Sequence, residues 1–195
     1  MDKQTIDTYN REAESIAHLH ATLTPHRIYE LIDRYFIKHG TTLDVGCGIG
    51  RDTHWLTQQG FPTTGVDASE QMLLQAQSLY PNEHFFQDAL PELNQPGKSQ
   101  FQNILCSAVL MHLSAVDLNT ACLRLLQLLN DSGCLIISFR STQETGNREK
   151  GKLYETINSA DFLKFFEENQ CTVLVQESET EATRNLTWHN FVVKK

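Results

Sequence analysis

The stretch Leu43-Asp44-Val45-Gly46-Cys47-Gly48-Ile49-Gly50-Arg51-Asp52 decides the fold. Thr41 to Val45 has the β-branched and apolar content of a buried strand, and Asp52 to Gln59 continues as a helix, so the three alternating glycines lie in a strand-to-helix turn. Glycine there permits φ > 0 and lets a ligand approach the main chain. Free N–H groups at the start of the following helix favour an anionic group, such as a carboxylate or phosphate. Taken alone, the turn also has a purely structural reading, since strand-turn-helix units need glycine whether or not anything binds.

Working outward, hydrophobic periodicity alternates between helix and strand. Residues 4 to 20 and 26 to 38 carry helical spacing, which predicts buried faces at Ile6, Tyr9, Ala13, Ile16 and Ala17, then at Ile28, Leu31, Ile32 and Tyr35. Pro62 to Asp67 reads as a second strand, and Ser69 caps a helix that runs to about Leu79 before Pro81. His84 to Gln87 is a third strand, Phe101 to Ser107 a fourth, Val116 to Leu129 a helix, and Cys134 to Arg140 a fifth strand. Residues 160 to 168 read as a helix, and Thr172 to Gln176 with Thr187 to Val193 as an antiparallel pair joined by a short polar turn. The expectation is one α/β domain over 1–195: a doubly wound, Rossmann-like, seven-stranded sheet, mostly parallel, with an antiparallel C-terminal hairpin and helices on both faces. Leu90 to Gln100 and Ser141 to Thr156 are the long irregular segments.

In such a sheet the ligand lies outside the carboxyl ends of the strands. The strand-end residues are Asp44 with the glycine turn, Asp67, the pair Gln87-Asp88, and Ser107. Asp67 suits two hydrogen bonds to a ribose diol; its other reading is a cap, although Ser69 already supplies one.

Composition bounds the class. Hydrophobic residues make up 40% and charged residues 21%, which is globular, and no apolar run approaches the roughly 20 residues of a membrane span. A net charge of -8 disfavours nucleic acid as a partner. The five cysteines (47, 106, 122, 134, 171) form no Cys-x-x-Cys pair and read as reduced packing residues; with a polar start that lacks a targeting signal, a cytoplasmic protein is expected. The eight histidines lack metal-ligand spacing, so no metal site is expected.

Together, Asp44 to Gly50, Gly65-Val66-Asp67-Ala68-Ser69, Gln87-Asp88-Ala89 and Phe101 to Leu113 resemble the four ordered motifs of the small single-domain class I S-adenosylmethionine-dependent methyltransferases. The resemblance implies that the turn of Gly46, Cys47, Gly48 and Gly50 wraps the methionine part of S-adenosylmethionine, that Asp67 holds the ribose hydroxyls, and that Asp44 and Ala68 also belong to the cofactor site. Met72, Asp88 and Ala89 would meet adenine, and Ser107 and Ala108 would lie below the methionine chain. It also implies an N-terminal helical lid over 1–40 on a cofactor-binding core at 41–195, and a substrate loop at 141–156. This sequence departs from the family's fourth motif at Gln102, where an acid is common, and at Met111, which leaves His112 alone.

His112 is the candidate general base, with a pocket-lining role as its alternative. Tyr9 belongs to the lid or to an ordinary core; Arg51 pairs with the cofactor carboxylate or faces solvent. Arg148, Lys150 and Lys152 meet an anionic substrate or form a solvated loop. The acceptor is expected to be a small molecule. Two rivals stay open, a nicotinamide-dependent (NAD) oxidoreductase and a non-catalytic protein that binds the same methyl donor. The Gly-x-Gly-x-x-Gly pattern of the first is broken at Arg51.

Overall fold

The structure, a computed structural model, describes residues 1–142, 145–181 and 186–195. The sheet strands are β1 (Thr42–Val45), β2 (Thr63–Asp67), β3 (His84–Gln87), β4 (Phe101–Ser107) and β5 (Leu129–Arg140). A ribbon of β6 (Asn147–Glu149) and β7 (Lys152–Tyr154) stands apart, and β8 (Thr172–Glu181) and β9 (Leu186–Lys194) complete the sheet. The sheet order is β3-β2-β1-β4-β5-β9-β8, parallel from β3 to β5, with β9 antiparallel to both of its neighbours. The polar turn expected between the last two strands, residues 182–185, lies outside the described residues, as do residues 143 and 144 of the expected substrate loop.

Both sheet faces are covered, as the apolar strands require. On one face Ile104, Cys106, Leu135, Ile137 and Phe139 pack with helices α6 (Ala115–Leu128) and α7 (Ser159–Glu168). The alternate residues Leu105, Cys134, Ile136 and Val192 pack on the opposite face with α3 (His26–Tyr35) and with Leu56 of α4 (Arg51–Gln58). Both Ser69, before α5 (Glu70–Leu79), and Ser114, before α6, accept a hydrogen bond from the N–H three residues on, a cap worth about 1 kcal/mol. All five cysteines are free and buried, Cys47 included.

Five expectations need correction. The helix expected over 4 to 20 is two helices, α1 (Lys3–Arg11) and α2 (Ala13–Ala21), broken where Glu12 takes ψ 13°. The buried residues of α1 are Thr5 and Thr8; Ile6 and Tyr9 turn instead to a cavity above the sheet. The helix expected to reach residue 38 stops at Tyr35, which is half-buried, because Phe36 is extended and packs edge-on against Phe61 while the Asn103 side chain takes the Ile37 N–H. The fifth strand starts at Leu129, paired with Phe101 ahead of a register shift, and not at Cys134. Finally, 141–156 is not irregular throughout: Lys150 and Gly151, with φ of 49° and 87°, turn the β6–β7 ribbon between them. Gly151 is required there, since a Cβ would lie 2.6 Å from Thr8 Oγ1, so the ribbon is seated on α1.

Candidate active site

A cavity of about 710 Å³ opens at the carboxyl ends of β1, β2, β4 and β5, roofed by α1, the end of α2 and the ribbon. Its size falls in the range of small-molecule sites. Of the residues singled out in the sequence, Tyr9, Gly46, Cys47, Gly48, Arg51, Asp67, Ala68, Met72, Asp88, Ala89, Ser107, Ala108 and His112 line it. Asp44 and Gly50 do not. Asp44 is buried behind the turn, where its carboxylate accepts from Thr53 Oγ1 at 2.7 Å, and burial pushes its pKa up to about 7.

All three glycines of the turn have positive φ, but for different reasons. A Cβ on Gly46 would lie 2.2 Å from Val109 Cγ2, and one on Gly50 2.6 Å from Phe85 Cζ; packing alone demands glycine at both. A Cβ on Gly48 would meet only Met72 Cε, at 3.5 Å. Gly48 is therefore bare where the backbone faces the cavity.

Asp67, at the end of β2, accepts from the Gly48 N–H through one carboxylate oxygen and from the Ser69 N–H through the other, each at 2.8 Å. It thereby fixes the glycine turn to the next helix, and since a carboxylate offers about four acceptor positions, lone pairs remain for a ligand. Asp88 is anchored in the same way, by the N–H groups of Ala89 and Gln95 at 2.8 and 2.6 Å. At the end of β4, Ser107 Oγ lies 2.9 Å from Ser138 Oγ, and Ala108 is held at φ 61°, uncommon for a residue with a Cβ.

Arg51 faces neither open solvent nor a free anion site. Its Nε and Nη2 hold the two carboxylate oxygens of Asp52, at 2.9 and 2.8 Å, while Nη1 donates to the carbonyls of His20, in the last turn of α2, and Leu23, just past it. Asp52 also accepts from the Tyr29 hydroxyl at 2.7 Å, and the Tyr29 ring stacks on Trp55 with centroids 3.8 Å apart. The end of α2 is thus tied to α4 and α3 through one continuous set of contacts.

His112 sits in a single 3-10 turn, Leu110–His112, and is 3% exposed. Its Nδ1 lies 2.6 Å from the Leu153 carbonyl, which can only accept, so Nδ1 carries the proton and Nε2 presents a lone pair. Sequence reasoning missed this partner because Leu153 belongs to the ribbon. Burial drops the imidazole pKa from an ordinary 6.5 to about 4, so the ring is neutral at pH 7. The basic run divides. Arg148 is bound by both carboxylate oxygens of Asp2, Lys150 lies off the cavity, and Lys152 faces in, its Nζ 4.4 Å from the Tyr9 ring centroid. Arg140, which no motif flagged, lines the cavity beside it. Among the described residues, no cluster of three or more metal-ligating side chains is present.

The sheet order and glycine turn define the class I S-adenosylmethionine-dependent methyltransferase fold, and comparison with known proteins agrees. Residues 42–133 match the family model described as a methyltransferase domain. That match covers just under half of the chain. A putative methyltransferase of Geobacillus is 36% identical over 106 residues, 51% of this chain and 42% of that protein. An uncharacterized methyltransferase of Alkaliphilus oremlandii is 33% identical over 101 residues, 52% and 46% of the respective lengths. The matched segments thus span less than half of those relatives. Among solved structures, an S-adenosylmethionine-dependent methyltransferase of Clostridium acetobutylicum aligns with TM-score 0.73 and 18% identity over 95% of this chain and 98% of that one. The 1,6-didemethyltoxoflavin-N1-methyltransferase of Burkholderia thailandensis, with 1,6-didemethyltoxoflavin and S-adenosylhomocysteine bound, aligns with TM-score 0.65 and 22% identity over 95% and 77%. These structures share the fold.

Proposed function

We propose that this chain transfers a methyl group from S-adenosylmethionine to a small-molecule acceptor. The observation that carries the reading is Gly48: its positive φ and absent side chain open the backbone onto the cavity, while Asp67 and Met72 stand on either side of that opening. The lining residues fit the donor. Asp67 would hold the ribose hydroxyls with its remaining lone pairs, Met72 and Ala68 would pack on the nucleoside, Asp88 would accept from the adenine amine, and Ser107 and Ala108 would lie along the methionine chain. The Ala89 N–H, donated to Asp88 here, would turn to the adenine ring. Bound there, S-adenosylmethionine supplies an activated methyl group on sulfur, so no enzyme nucleophile is required.

What the chain must add is alignment, exclusion of water and, for a protonated acceptor, a place for the proton. The roof of α1 and the ribbon supplies exclusion. His112 Nε2 is the proton acceptor, held toward the cavity by the Leu153 carbonyl. A small acceptor is supported by the cavity's size, by the chain's net charge of -8, and by the small heterocycle bound in the Burkholderia structure. For the same reasons the chain acts without nucleic acid or membrane as a partner. Among the described residues no helix is long and apolar enough to cross a bilayer.

Calorimetry with S-adenosylhomocysteine tests the proposal. Binding should appear below about 1 mM with a matching rise in melting temperature, because a ligand specific to the native state stabilises it by mass action. Neither heat nor thermal shift at that concentration would refute it.

A further inference from the structure

Arg140, the last residue of β5, is 8% exposed, and its Nε is buried with no hydrogen-bond partner among the described residues. Its Nη2 donates to Glu149 Oε1 at 2.6 Å, from a ribbon side chain that is nearly half exposed. One edge of the guanidinium is therefore half used. Arg27 and Arg51 show what that edge does when complete: each grips both oxygens of one carboxylate through Nε and Nη2. Two parallel N–H donors match a planar carboxylate, and a buried donor without an acceptor is rare.

The surroundings set the geometry of a ligand. The guanidinium carbon of Arg140 lies 3.8 Å from the Tyr154 ring centroid, and that ring meets His112 edge-on at 4.8 Å between centroids. An anion at Arg140 is thus one aromatic ring away from His112. Lys152 faces the same cavity with a half-buried ammonium. The acidic groups on the cavity wall are otherwise occupied or remote. Asp52 is held by Arg51 and Tyr29, and Asp67 and Asp88 by backbone N–H groups. Glu179 pairs with Trp188, which pairs with Arg140, so it stands two strands, about 10 Å, away, with Glu181 further along β8.

We infer that the methyl acceptor is a small carboxylic acid whose carboxylate docks on the Nε–Nη2 edge of Arg140, displacing Glu149, with its methyl-accepting atom toward His112. The inference rests on the methyltransferase reading of the cavity, and its test is built to fail separately.

The purified chain is first titrated with S-adenosylhomocysteine. The loaded protein is then titrated with 4-hydroxybenzoate and with 4-hydroxybenzamide, a pair alike in shape that differs in charge. The acid should bind at least about tenfold more tightly than the amide, as charge-assisted paired bonds require. Arg140→Lys, which keeps the charge and loses the fork, and Arg140→Gln should abolish that preference and leave S-adenosylhomocysteine affinity unchanged. Glu149→Gln, which removes the competitor, should tighten acid binding several-fold. Equal binding of acid and amide, no binding of the acid at about 10 mM, or a preference that survives Arg140→Lys would overturn the inference. Should both Arg140 variants fail to fold, Glu149→Gln decides: no tightening overturns it. If S-adenosylhomocysteine gives no heat, the cofactor reading fails instead, and the same acid and amide titrations on the unloaded protein decide the carboxylate site.

Discussion

The Tyr9 hydroxyl lies 3.3 Å from Nε2 of His112, across 103 positions of sequence. Burial keeps the phenol protonated by pushing its pKa up, so Tyr9 donates and the imidazole accepts. Helix α1 and the turn after β4 therefore meet at the one His112 nitrogen that has a lone pair to give.

That arrangement predicts the effect of removing the imidazole. With the acceptor in hand, His112→Gln should lower kcat by at least about a hundredfold while cofactor affinity stays within a few-fold, the lower bound for loss of a general base. Tyr9→Phe leaves Nε2 free to accept a proton and should retain most of the activity. Steady-state kinetics on the pair decides; a loss under about tenfold in His112→Gln would reduce His112 to a pocket wall, with alignment alone carrying the transfer.

Gly46 and Gly48 should part company. Gly46→Ala drives a methyl into Val109 and should cost about 2 kcal/mol or more of stability. Gly48→Ala makes only an ordinary contact with Met72, so its cost is the roughly 1 kcal/mol of placing alanine at positive φ, yet it should weaken S-adenosylhomocysteine binding at least tenfold. Urea denaturation reads the first effect and calorimetry the second. Unchanged affinity in Gly48→Ala would mean that no ligand approaches the turn.

Asp67→Ala should weaken cofactor binding by roughly 2 kcal/mol through lost charge-assisted bonds. Stability should also fall, because the Gly48 and Ser69 N–H groups lose their acceptor. Asp67→Asn keeps a carbonyl acceptor and should restore part of the stability without the affinity. Binding as tight as that of the native chain in either variant would leave Asp67 as a turn residue only.

Stability should depend on pH in two opposed ways. His112 and His20 are both held neutral, with pKa values depressed by burial to about 4 from an ordinary 6.5. Between those values the unfolded chain binds more protons, so their contribution is complete above about pH 6.5 and is lost as pH falls to 4, on the order of 3 kcal/mol for His112. Asp44, raised from 3.8 to about 7, works the other way: the fold prefers its neutral form, and stability declines as pH rises through that interval. Asp44→Asn should steepen the rise in stability from pH 4 to 6.5 and make the protein more stable than the native chain at pH 8. Denaturant midpoints across pH measure both; an unchanged profile in Asp44→Asn would show that burial of Asp44 has no such cost.

The strand-end chemistry was legible because it is local. The Gly46–Gly50 turn, the acid closing β2 and the Ser69 cap each depend on residues within a few positions of one another, and His84–Gln87 and Phe101–Ser107 are strands at the expected limits. Ile6 and Tyr9 show what periodicity leaves out. It marks a face that avoids bulk water, and cannot say whether a core or a cavity lies beyond it. Arg140 and Leu153 were invisible for a different reason: one acquires its role by facing a cavity across β9 and the ribbon, the other through a backbone carbonyl, which has no side-chain signature.

The stack of Tyr29 on Trp55 gives the molecule an optical reporter. Tyr29 holds Asp52, Asp52 holds Arg51, and Arg51 holds the carbonyls at the end of α2, so the end of α2 is linked by contacts to an indole ring. The chain's second tryptophan, Trp188, lines the cavity on the Arg140 side. A change in Trp55 emission would therefore report a change in the Arg51–Asp52–Tyr29 contacts, and a change in Trp188 emission a change on the Arg140 side of the cavity, without any label.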